Sequence, residues 1–206
     1  MPTLFTPTRA AQTDLAAWQN LSAASYVVGS ALDISAMWNG RVTIEIGRLV
    51  ATAFTSGGPA IRIKGSCATS GNDEWTDLFT YIPQIGASVA ATTANGAISA
   101  NAATYTATSA SGITAGDLVF LGHTTTPANY EILEVLSVSS NTITPVNNVV
   151  NAHDNGCVIT DQAEKQIIAI DFSGLMRIRA DIDNTIGGQS FACRVGLTTT
   201  TNVTTN

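Results

Sequence analysis

His123 and His153 are the only two histidines in the chain, and imidazole is the side chain best suited to moving protons near neutral pH. Neither stands at a recognisable spacing from a carboxylate or a nucleophile. His153-Asp154-Asn155-Gly156 has the composition of a turn. Nucleophilic catalysis needs a base that is itself oriented by a third group, and no such set can be assembled, so no catalytic residue is assigned. Carboxylates concentrate at Asp73-Glu74 and at Asp181 and Asp183. Such pairs serve glycoside hydrolysis or calcium binding, but a solvated loop and the outer face of a strand account for them as simply. Cys67, Cys157 and Cys193 are odd in number and lack zinc-ligand spacing. They read as buried free thiols. No metal and no cofactor is expected.

Binding chemistry has more candidates. Trp38, Trp75, Phe79 and Tyr81 could stack on sugar rings, although Trp75, at the start of a strand, reads first as packing. Arg177 and Arg179 fall on the outward face of one strand. They suit either carboxylates of a neighbouring subunit or cross-strand partners of their own. Leu4, Phe5, Leu15 and Trp18 are apolar residues in an N-terminal segment, residues 1–25, where Pro2 and Pro7 oppose regular structure. That segment reads as an arm, with Asp14 capping a short helical turn. Its apolar residues either anchor a partner or fold back onto their own domain.

Charged residues are 12% of the chain, against about 25% in ordinary soluble domains. Lys64 and Lys165 are the only lysines. Lysine is depleted at interfaces, so the composition favours a subunit of an assembly. The net charge is −6 and no basic cluster exists, which argues against direct nucleic-acid binding. No apolar run is long enough to span a bilayer and the first residues lack a signal-peptide core. A soluble product of the cytoplasm is expected, without membrane contact.

The elements that must position these residues are strands. LDISAMWNGRVTIEIGRLV, residues 32–50, has a fainter counterpart in IDFSGLMRIRADID, residues 170–183. Each starts with an aliphatic residue, Asp and Ser at matching offsets, turns, and enters a strand near an arginine. Val42, Ile44 and Ile46 share one face of the first strand; Met176, Ile178, Ala180 and Ile182 share one face of the second. This period of two marks half-buried strands, expected at the centre of a single antiparallel, jelly-roll-like β-sandwich. Residues 26–87 and 162–198 make its two halves. Between them, residues 88–161 lack Lys and Arg altogether, and short strands recur between Gly, Asn and Ser turns, as in a small β-barrel or β-module. The final TTTTNVTTN, including residues 199–206, is expected to be a polar tail that buries nothing.

LDISAMWNGRVTIEIGRL, IRIKGSCATSGNDEWTDL, IIAIDFSGLMRIRADIDN and FACRVGL together resemble virion structural proteins of tailed bacteriophages, most closely the capsid decoration or cement proteins. The segment running from SGITAGDLVFLGH to DNGCVIT resembles a β-module that recurs in them. The resemblance implies a non-enzymatic subunit on the capsid surface that binds the major capsid protein and itself, as a homotrimer. Tail or baseplate subunits, and carbohydrate- or host-receptor-binding modules, fit the same features.

Overall fold

The computed structural model describes residues 5–52, 58–71, 74–83 and 89–204. In chain order the strands are β1 (Phe5–Arg9), β2 (Thr13–Leu21), β3 (Tyr26–Val28), β4 (Leu32–Asp33), β5 (Asn39–Arg48), β6 (Ala60–Ser66) and β7 (Thr76–Tyr81). Next come β8 (Ala91–Thr93), β9 (Tyr105–Thr106), β10 (Leu118–Leu121), β11 (Glu131–Ser139), β12 (Thr142–Pro145) and β13 (Val158–Thr160). The chain closes with β14 (Glu164–Asp171), β15 (Arg177–Asp183) and β16 (Phe191–Thr204). All pairings are antiparallel.

Two of the three sheets face each other as a sandwich. The first has the order β1-β16-β5-β14 with β2 also on β16, and the second β3-β15-β6-β7 with β4 also on β15. The two strands singled out by their twofold alternation, β5 and β15, are therefore central, one in each sheet. Val42, Ile44 and Ile46 of β5 meet Ile61 and Ile63 of β6 and Ile178, Ala180 and Ile182 of β15 in one core. The nested pairing of β5 with β16 and β6 with β15 is that of a folded-over ribbon, the jelly-roll-like feature of the sandwich.

The third sheet, β8-β13-β10-β11-β12-β9, lies wholly between the sandwich halves in sequence. It curls until its two edges meet at an Ala94–Ala107 bridge, with Thr108 N–H donating to the Thr93 carbonyl at 2.8 Å. Its interior holds Val119, Leu121, Leu133, Val135 and Ile143. In β10 both faces are buried: Val119 and Leu121 point into this module, while Phe120 points out of it toward the sandwich.

That outward Phe120 makes the seam between the two bodies. It packs with Trp18, Tyr130, Ala163 and Ala192, its ring centroid 5.8 Å from Trp18 and 5.2 Å from Tyr130 in an edge-on contact, a favoured aromatic geometry. Beneath the ring lies Gly47, where a Cβ would come within 2.1 Å of Phe120. Thr160 Oγ1 donates to the Arg48 carbonyl at 2.8 Å beside this contact.

Both chain ends depart from the sequence-based expectation. Residues 13–21 form no helical turn but a strand, β2, along β16, with register shifts near Val195. Phe5–Arg9 pairs with β16 in spite of Pro7, opposite Asn202. Proline is tolerated there because β1 is an edge strand and has no second ladder to serve. The Thr-rich end is not a free tail: β16 runs through it to Thr204. Threonine is polar but β-branched, and its preference for extended backbone decides the outcome. Leu15 and Trp18 are 3% and 8% exposed, so they fold back onto their own chain, one of the two outcomes left open above. Leu4 lies outside the described residues. Cys157 and Cys193 are buried, whereas Cys67 is exposed, because it lies just past the end of β6 where the chain leaves the sheet.

Two outcomes follow from this packing. Gly47→Ala should destabilise the protein by about 1–3 kcal/mol, the usual cost of overpacking a filled site, seen as a lower thermal midpoint. In thiol labelling of the native chain with maleimide, Cys67 should react and the other two should not. Burial pushes the Cys157 thiol up to about 11, with help from the nearby Asp154 charge, and burial raises Cys193 also.

Candidate functional site

The outer face of the first sheet is divided along β5. At one end Gly47 lies under the module. In the middle, Glu45 is covered by an ion-pair row, with Lys165 Nζ at 2.9 Å and Arg194 Nη1 at 3.8 Å. At the other end none of the described residues is laid over the sheet, and an open groove of about 1520 Å³ remains.

Strand register builds the floor of this groove. Arg9 of β1 stands opposite Thr200, Thr200 opposite Asn39, and Asn39 opposite Asp171, so one row crosses four strands. The next row on the same face is Thr198, Arg41 and Ala169. Small side chains at Thr198 and Ala169 leave the floor low, and Gly40 lets the backbone approach the Phe172 ring, which a Cβ would meet at 2.7 Å.

The wall is made by the two matching sequence stretches. Ser35 N–H donates to Asp33 Oδ1 at 2.9 Å and Ser173 N–H to Asp171 Oδ1 at 2.9 Å. In each, a further bond closes the turn: Met37 N–H to the Ile34 carbonyl and Leu175 N–H to the Phe172 carbonyl. Ile34 and Phe172 are buried beneath these turns at 0% and 2% exposure. The two turns are cross-linked, since Ile34 N–H donates to the Met176 carbonyl and Phe172 N–H to the Trp38 carbonyl. Asp–x–Ser is thus a local turn device used twice, and its two copies form one structure.

Trp38 sits on this wall with its backbone held at both groups, its N–H on the Thr200 carbonyl at 3.2 Å and its carbonyl taking Phe172 N–H at 3.0 Å. Its side chain is free: the residue is 60% exposed. Arg9 and Arg41 also line the groove, and neither forms an ion pair among the described residues. Asp171 is charged well into acid, its carboxyl lowered first by the Ser173 N–H and then by the Ser173 hydroxyl. Among the described residues the groove therefore offers one exposed aromatic face, the exposed aliphatic side chains of Ile167 and Met176, two guanidiniums without a carboxylate partner, a carboxylate and several hydroxyl and amide groups.

The other residues singled out from sequence are occupied elsewhere. Arg177 donates from Nε to the Ala68 carbonyl at 2.7 Å and from Nη2 to the Gly71 carbonyl at 3.0 Å. Arg179 pairs with buried Asp181 at 3.0 Å, and both guanidiniums lie over the Trp75 ring, so of the two readings of these arginines the geometry realises the internal one. Asp181 also faces Lys64, and Asp183 faces Arg62. Phe79 and Tyr81 pack against the sandwich core, and Tyr81 donates its hydroxyl to Glu164. Of the four aromatics suited to sugar stacking, Trp38 is 60% exposed and Trp75, Phe79 and Tyr81 are half-buried. Asp73 lies outside the described residues.

His153 has a partner that no sequence spacing displayed. Its Nε2 is 2.7 Å from Glu131 Oε1, and its Nδ1 donates to the Gly122 carbonyl at 2.6 Å. Glu131 also takes the Val150 and Asn151 N–H groups, each at 3.0 Å. With both ring nitrogens engaged and 2% exposure, His153 ties three segments of the module together. His123, 6.5 Å away between ring centroids, accepts the Thr125 and Thr126 N–H groups.

No family model matches the chain, and no curated protein matches it. Among solved structures it is similar in part to the Gp54 tailspike of Acinetobacter baumannii bacteriophage AP22, determined in complex with A. baumannii capsular saccharide. The identity is 22% over 36% of this chain, with a TM-score of 0.30, and the match covers 15% of the tailspike's length.

Trp38→Ala should leave folding stability within about 0.5 kcal/mol of the parent, as for other exposed positions, and urea unfolding checks this. Ser173→Ala should raise the Asp171 pKa toward the ordinary value of 3.8, measured by NMR titration. The sign follows from the depressed folded-state value: the stabilisation is complete above the ordinary carboxylate range and disappears as pH falls through the lowered pKa.

Proposed function

We propose that the chain is a non-enzymatic structural subunit of a tailed-phage particle that works as a binding module, using the open end of the first sheet as its contact surface. The observation that carries this is the groove itself: an exposed tryptophan on a clasped backbone beside Arg9 and Arg41. The composition and the quoted sequence resemblance to virion structural proteins support the phage setting. A mode of attachment through a loose N-terminal arm loses its physical basis, because Leu15 and Trp18 are buried in the chain's own packing. The non-enzymatic reading draws support from His153, whose nitrogens are both occupied in a sealed site.

Capsid cement is the second reading, in which the chain binds the major capsid protein and forms a homotrimer. One observation favours it: β14 and β7 end their sheets, and exposed edges can accept a strand from a neighbouring subunit. Immunogold labelling of purified particles with an antibody to the chain separates the two. Label at the tail or baseplate is expected. Label over the capsid would transfer the protein to the cement reading, and particles free of label would overturn the cement reading and remove the phage setting from the binding-module reading.

A further inference from the structure

We infer that the groove binds an acidic oligosaccharide, with a sugar ring on Trp38 and carboxylates on Arg9 and Arg41. This rests on the binding-module reading and specifies its ligand.

Charge is the first ground. The protein carries a net charge of −6, and most of its cations are spent internally: Arg62, Lys64, Lys165, Arg179 and Arg194 all have carboxylate partners. Arg9 and Arg41 form no ion pair among the described residues, and both line one groove. Guanidinium presents a planar fork that matches a carboxylate.

Spacing is the second. Arg9 and Arg41 are separated by two strand intervals, from β1 through β16 to β5, and by two residues along the strand. Strand spacing and rise put their α-carbons about 12 Å apart. One carboxylate cannot serve both without the side chains bending together, whereas an oligosaccharide with acid groups on successive or alternate rings can.

The third is what the floor lacks. β5, at the centre of the floor, is hydrogen-bonded on both sides, by β16 and β14, so a peptide strand could add only at the β14 margin and not over the floor where Trp38 and Arg41 stand. Protein hot spots centre on several apolar anchors in desolvated pockets; here Trp38 is the exposed aromatic, and Ile167 and Met176 are the exposed aliphatic side chains beside it, set among hydroxyl, amide and charged groups. A pyranose ring has the complementary make-up: an apolar C–H face for the indole and a rim of hydroxyls for Asn39, Thr198, Thr200 and Asp171. Asp171 also sets direction, because its charge repels a carboxylate and accepts hydroxyl hydrogen bonds. The acid groups must lie toward Arg9 and Arg41.

The test uses the full chain with three soluble probes of matched length: oligogalacturonate, neutral malto-oligosaccharide and oligoglutamate, followed by tryptophan fluorescence and calorimetry. Oligogalacturonate should bind at least tenfold more tightly than the neutral chain, and less tightly as salt is raised. Arg41→Ala and Arg9→Ala should each weaken it tenfold or more, and Trp38→Ala should abolish it, with thermal unfolding of each variant confirming the fold. Equal binding of the neutral probe, no binding of either saccharide, or indifference to the arginine changes would overturn the inference. Oligoglutamate binding as tightly as oligogalacturonate would replace the saccharide with an acidic protein partner. Failure here with label retained at the tail would leave the binding-module reading standing; acidic-saccharide binding by a chain missing from particles would remove the phage setting alone.

Discussion

Strand β16 is the constraint around which the sandwich is arranged. It runs for fourteen residues, and each of its backbone groups needs a partner on one side or the other. β5 serves one side from Phe191 to Thr200. No single strand serves the other side, so two do it in tandem, β2 along Phe191–Leu197 and β1 from Thr200 to Thr204. The N-terminal segment is thereby drawn into the sheet, and Arg9 is delivered to the row that also holds Asn39 and Asp171. The groove exists because a long strand had an unserved flank.

The opposite end of the same sheet face is governed by a single missing side chain. Gly47 follows the outward series Arg41, Thr43, Glu45, and a Cβ there would occupy the space of the Phe120 ring. The module's contact with the sandwich is built as a knob of three aromatic rings, Trp18, Phe120 and Tyr130, seated on a strand made bare at one position. Between seam and groove the Glu45 ion-pair row closes the face to both. One strand thus carries a packed interface, a charged partition and an open surface in succession.

Much of the architecture was legible because burial on one face leaves a period of two. β5 and β15 are readable from alternation alone, and the change of texture between residues 88 and 161 from composition. The ends differ from expectation for one physical reason: polarity and proline point away from regular structure, while β-branching and edge position favour it, so a threonine strand has the composition of a tail and an edge strand that of an arm. The candidate site was visible only in part. Trp38 stands out among the aromatics, and the Asp-Ser likeness of the two stretches is plain in the sequence. That they face one another, with Arg9 and Arg41 brought to adjacent rows of one sheet face, depends on a register between strands some 160 residues apart, for which the linear sequence has no local mark. The Glu131–His153 pair has no local mark for the same reason, and the spacing of Arg177 and Arg179 shows a shared strand face without showing their internal partners.

The clasped backbone of Trp38 has an evolutionary consequence. Its floor and wall are fixed by main-chain hydrogen bonds that do not depend on the identity of the outward side chains at positions 39, 41, 169, 198 and 200. Those positions can be exchanged one at a time without asking the sandwich to refold, and a preorganised surface loses little conformational freedom when a ligand settles on it. Such a site adapts by substitution rather than by flexing. Its preference can drift from one target surface to another in small steps while the scaffold beneath stays the same.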